Sequence, residues 1–143
     1  MRPGRASKLD LGPQEALVYA MVTVAAADRT IAEIELSRMH SFVRELPAFR
    51  GFDEAWFGRV ALECGAVLAQ PDGVTKVVRL VGDALPTGLR ETAYALAAEV
   101  AASDVALQED ERQFLSLLSE RLQLDALVCA ALQRCAEVRH RRV

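Results

Sequence analysis

"AAADRTIAEIE", residues 25–35, and "AASDVALQEDE", residues 101–111, are two versions of one phrase. Ala25-Ala26, Asp28, Ile31, Glu33 and Glu35 recur as Ala101-Ala102, Asp104, Leu107, Glu109 and Glu111, each 76 positions on (104 − 28 = 76). Both versions run from a small-residue apolar stretch through an acid and a short turn into a new acidic helix start. The same offset carries Val24 to Val100, Met39 to Leu115, Phe42 to Leu118 and Leu46 to Leu122. A helix–corner–helix unit written twice implies a duplication, since a solenoid needs three or more copies. Two amphipathic hairpins can bury their apolar faces against each other about a pseudo-twofold axis.

Reading outward from the first corner, "GPQEALVYAMVTVAAAD" forms one helix. Pro13 suits its first position, Glu15 its positive dipole end, and its nearly all-apolar circumference predicts a central, buried element. "TIAEIELSRMHSFVREL" follows, with Thr30 and Glu33 spaced as a capping box. Ile31, Ile34, Met39, Phe42, Val43 and Leu46 line its inward face, and Pro47 stops it. "AFRGF" reads as a loop. "DEAWFGRVALECGAVLAQ" makes a third helix capped by Asp53, with Trp56, Phe57, Val60 and Leu68 inward. "PDG" at 71–73 breaks the chain before the short helix "VTKVVRLVGDAL", which Pro86 ends. "TGLRETAYALAAEVAASD" and "LQEDERQFLSLLSERL" then repeat the first hairpin, and "LDALVCAALQRCAEVRH" closes the chain. No segment alternates as a strand does. The expectation is all-α: about seven helices in a single domain over residues 12–138, with basic tails at 1–11 and 139–143.

The 143 residues suit one domain, and 52% hydrophobic against 26% charged residues supports a real core. A net charge of −3 gives no reason to expect nucleic acid. The cationic ends (Arg2, Arg5 and Lys8, then Arg139, His140, Arg141 and Arg142) read as solvated, with at most a peripheral attraction to membrane headgroups. Cys64, Cys129 and Cys135 form no CxxC pair and read as buried small hydrophobes in a reducing compartment. No signal-like segment opens the chain, and its longest apolar run, Ala16 to Ala27, is short of a bilayer span. A cytoplasmic location is expected.

Chemistry concentrates at the corners. Asp28 and Glu35 flank the first turn, Asp104 and Glu111 the second, and carboxylate oxygens suit a hard divalent cation such as calcium or a partner's basic surface. Capping and the helix dipole account for the same acids without any ligand. The spacing is not that of an EF-hand loop. His40 reads as a partly exposed helix residue near Glu33 and Arg44. Ser37 and Ser41 have no triad partner, "GDALPTG" at 82–88 lacks a phosphate-loop ending, and Tyr19 and Tyr94 read as core aromatics. Metal-dependent hydrolysis would need a base beside the corners, and none accompanies them. No enzyme is expected.

The buried Ala-rich helix running into Ala-Ala-x-Asp, a turn, an apolar residue and Glu, written twice, resembles the tellurite-resistance TerB family over roughly residues 12–138. The resemblance implies a bacterial, cytoplasmic, non-enzymatic protein of duplicated hairpins, associated with stress resistance and acting through protein partners. It also implies a divalent cation, calcium or manganese, at Asp28, Glu35, Asp104 and Glu111. Corners in the family often read Asp-Gly, whereas Arg29 and Val105 follow the acids here. Arg29 adds a cation to the first corner, and the branched Val105 resists the left-handed backbone a glycine permits. The alternative expectation is a helical interaction scaffold or homodimer without a ligand.

Overall fold

The computed structural model describes residues 11–27, 31–103 and 109–143. Among them are seven α-helices and no strand: α1 (Pro13–Ala25), α2 (Glu33–Glu45), α3 (Phe57–Leu68), α4 (Gly73–Ala84), α5 (Arg90–Ser103), α6 (Glu109–Arg121) and α7 (Ala126–Arg139). Short 3-10 turns occupy Pro47–Phe49, Glu54–Trp56 and Thr87–Leu89.

α1 and α5 form the centre. Both are rich in alanine, so their backbones approach closely. Ala16, Ala20, Ala93 and Ala97 are fully buried, as are Leu17, Val18, Met21, Val24 and Val100. Burying each of the larger side chains contributes about 1.5–3 kcal/mol. Pro13 stands at the first position of α1, and the Gly12 N–H donates to Glu15 Oε1 at 2.9 Å.

The remaining helices wrap this pair. α3 packs on α1 and α7 on α5, while α2 crosses to α5 and α6 crosses to α1. Exchanging α1, α2 and α3 for α5, α6 and α7 turns each of these contacts into another. α4 has no counterpart in this exchange and touches α1, α3 and α6. It starts tightly. Asp72 has φ 57°, in the left-handed region, and a Cβ on Gly73 would lie 2.3 Å from the Leu68 carbonyl oxygen. Farther along, a Cβ on Gly82 would lie 2.6 Å from Arg121 Nε, whose guanidinium reaches Asp83 at 2.6 Å.

Several expectations are corrected by the packing. α2 begins at Glu33, and its first turn is closed by Ala32 N–H donating to Glu35 Oε1 at 2.9 Å, so Glu35 does the work assigned to Glu33. Thr30 lies outside the described residues. Ile31 and Ile34 are exposed and Glu35 faces inward, with Met39, Phe42 and Val43 buried as expected. Trp56 ends a 3-10 turn and is exposed, because α3 starts only at Phe57. Asp53 caps that turn, its Oδ1 accepting from the Ala55 N–H. "AFRGF" is not wholly irregular, since Phe49 completes a 3-10 turn and is buried. Cys64 and Cys129 are buried, but Cys135 is exposed on the outer face of α7. Arg139 belongs to α7, and both it and His140 grip Glu99 of α5, at 3.0 and 2.9 Å.

Candidate functional site

The two corners place one carboxylate each in the interior. Glu35 and Glu111 are both 1% exposed, at the third position of α2 and of α6. An ionised carboxylate is tolerated there only with hydrogen bonds or a cation to balance it. For Glu35 one such bond comes from the Ala32 N–H. Asp28 and Asp104, the other acids expected at the corners, lie outside the described residues, as do Arg29 and Val105. Among the described residues, no three His, Cys, Asp or Glu side chains gather as a metal site would require.

The corners are not remote from one another. A cleft of about 640 Å³ is bordered by Ala26 and Ala27 at the end of α1 and by Asp110, Gln113, Phe114 and Leu117 of α6. The chain leaving the first corner's leading helix thus runs beside the helix that follows the second corner. Leu68, Val74 and Thr75 also line the cleft.

His40 stands apart from the corners. Its Nδ1 lies 3.5 Å from Glu54 Oε2, which also accepts from Arg44 at 3.2 Å, and its ring lies 4.6 Å from that of Phe57. This is a surface cluster that ties α2 to the linker before α3.

A second concavity was not foreseen. A cleft of about 560 Å³ opens between α5, α6 and α7. On its floor the Gln133 side-chain amide donates to the Tyr94 hydroxyl, and Cys129 and Ser119 lie alongside. Burial pushes the Tyr94 hydroxyl and the Cys129 thiol above their ordinary values, and both therefore stay protonated near neutrality. Arg112, Ser116 and Glu120 of α6 and Gln123 in the turn after it form the rim. A signal for it was present: positions 112, 116 and 120 are polar at helical spacing, and so are 119 and 123. In the first half of the chain, the comparable position past α2 holds a smaller concavity of about 430 Å³, lined by Val43, Arg44 and Glu45 of α2 and by linker residues, among them Pro47, Phe52 and the buried Phe49.

No protein-family model matches this chain, and no curated protein or solved structure matches it either. Among the described residues, no helix is long and apolar enough to cross a membrane. Fold and corners together define a class: an all-helical protein with a buried glutamate in the first turn of the second helix of each hairpin.

Proposed function

We propose that this chain is a non-enzymatic TerB-like module of the tellurite- and stress-resistance kind, working in the cytoplasm through protein partners. Its acidic corners hold a divalent cation, calcium or manganese, with Asp28 and Glu35 serving the first and Asp104 and Glu111 the second. The observation that carries this reading is the matched burial of Glu35 and Glu111, each 1% exposed at the same helical position. Each interior carboxylate carries a charge that a bound cation would balance. The exchange of helix contacts between α1–α3 and α5–α7 supports the companion proposal that the hairpin arose by duplication.

Calorimetric titration with calcium and with manganese tests the cation. Wild type is expected to release or absorb heat that the Asp28→Ala/Asp104→Ala double variant does not. The same flat response from both proteins would remove the cation from the proposal. A helical scaffold or homodimer is then the reading left, and it has an observation of its own. Leu62 on α3 and Leu127 on α7 are 77% and 80% exposed, apolar side chains that a partner surface would cover. Light scattering at high micromolar concentration reports the dimer directly.

A further inference from the structure

We infer that the cleft between α5, α6 and α7 binds a short zwitterionic peptide, its carboxylate on Arg112 and its ammonium near Glu120. This inference does not depend on the corners or on any metal.

Three observations carry it. The first is the difference between the two halves. At the 76-residue offset, Leu36, His40, Val43 and Pro47 of the first half become Arg112, Ser116, Ser119 and Gln123. Where one half packs the His40 ring on Phe57 and narrows the space with Phe49 and Phe52 to about 430 Å³, the other presents a guanidinium, two hydroxyls and an amide around a wider cleft. Its volume, about 560 Å³, lies within the range of small-ligand sites.

The second observation is the placement of charge. Arg112 and Glu120 are eight residues apart on α6, roughly 12 Å along the axis at 1.5 Å per residue. An extended tripeptide spans about 10 Å between its termini, at 3.3–3.6 Å per residue. Guanidinium recognises carboxylate through paired N–H donors, and a carboxylate receives an ammonium. Arg44, Arg59, Arg121 and Arg139 each hold a carboxylate within the protein, whereas neither Arg112 nor Glu120 is in an ion pair among the described residues.

The third is the polar lining. A peptide backbone offers alternating donors and acceptors, and side chains with both capacities meet it best. Ser116, Gln123 and Gln133 have both. The Gln133 amide is held by the buried Tyr94 hydroxyl, which fixes one binding group before any ligand arrives.

The test is a nitrogen–proton NMR titration of the full chain with trialanine, repeated with N-acetyl-trialanine amide, which lacks both terminal charges. Shifts centred on Ser116, Gln123 and Gln133 are expected with trialanine and not with the blocked form. Arg112→Gln and Glu120→Gln each remove one terminal contact and are expected to weaken binding by about tenfold. Both positions are exposed, and far-ultraviolet circular dichroism confirms that each variant retains its helices. The proposal is overturned if trialanine at millimolar concentration moves no resonance of the cleft. It is overturned equally if the blocked peptide binds as well as trialanine, or if both variants bind it like wild type.

Discussion

The regions α1–α3 and α5–α7 share a contact plan yet finish it differently, and the cause is the link before the third helix. Between α2 and α3 lie eleven residues (57 − 45 − 1 = 11), between α6 and α7 only four (126 − 121 − 1 = 4). The long link folds back as two 3-10 turns and stacks Phe49, Phe52 and Trp56 edge to face, with centroids 5.7 and 5.5 Å apart. Gln14 of α1 secures it by donating to the carbonyls of Ala48 and Arg50 at 3.1 and 2.9 Å. The short link makes a left-handed turn at Gln123 and leads at once into the Asp125 cap of α7. It has no aromatic residue with which to fill the gap. The same helix plan therefore yields a smaller concavity floored by linker aromatics on one side and a wider polar cleft on the other, and link length distinguishes them.

The strongest way to break that comparison is to strip the aromatic side. Phe49→Ala removes a ring that is 2% exposed, and the change is expected to destabilise the fold by about 4 kcal/mol, measured by urea denaturation. A cost under about 1 kcal/mol would mean the linker merely lies on the surface. The comparison can then be sharpened where the halves agree. Met39 and Leu115 occupy corresponding positions of α2 and α6 and are 0% and 1% exposed. Met39→Ala and Leu115→Ala are expected to cost about 3 kcal/mol each and to match within about 1 kcal/mol. A large inequality would show that α4, which packs against α6 and not comparably against α2, changes how each site closes over a cavity.

Much of this fold was legible because helical periodicity is a local signal. α2 and α6 carry the same offset, so Glu33–Glu45 and Glu109–Arg121 correspond residue for residue. What sequence could not arbitrate was phase at the helix starts. Thr30 with Glu33 and Ala32 with Glu35 are both three apart, and side-chain chemistry favours the threonine. Packing favours the pair that leaves Ile31 and Ile34 in water and turns Glu35 inward. Trp56 faces outward because a 3-10 turn breaks helical register ahead of α3. The ion pairs of Arg139 and His140 leave no local signal, because their carboxylate, Glu99, is about forty residues away in sequence. The α5–α7 cleft was invisible for a related reason. Its polar stripe on α6 looks like any solvated face until the third helix is placed beside it.

The smallest expected effect concerns the thiols, which repeat the contrast at a single atom. In each half the third helix sends a cysteine toward the central helix. Cys64 of α3 lies 3.5 Å from the Thr23 hydroxyl and donates to the Tyr19 carbonyl at 3.8 Å, fully sealed. Cys129 of α7 lies at the edge of the open cleft, 8% exposed. Burial pushes the Cys64 thiol up to about 12 from its ordinary 9.0, with the Thr23 hydrogen bond opposing the rise. A folded-state value above the unfolded one means that the unfolded chain releases its proton first. The stability contributed by neutral Cys64 is therefore complete below about pH 9 and is lost progressively between about 9 and 12, by at most about 1.4 kcal/mol per pH unit. Denaturation midpoints are expected to fall across that window in wild type and to fall less in Cys64→Ala, whose own starting stability is lower. Cys129→Ala is expected to leave more of the alkaline slope in place, because its thiol is less completely enclosed. If Cys64→Ala and wild type decline in parallel, the alkaline loss arises elsewhere. Alkylation at neutral pH gives an independent reading of the same difference: exposed Cys135 is expected to react first, Cys129 next and Cys64 only on unfolding. A Cys64 that reacts as fast as Cys129 would show that the first half opens as readily as the second, and the contrast between a sealed and a cleft-side thiol would not hold in solution.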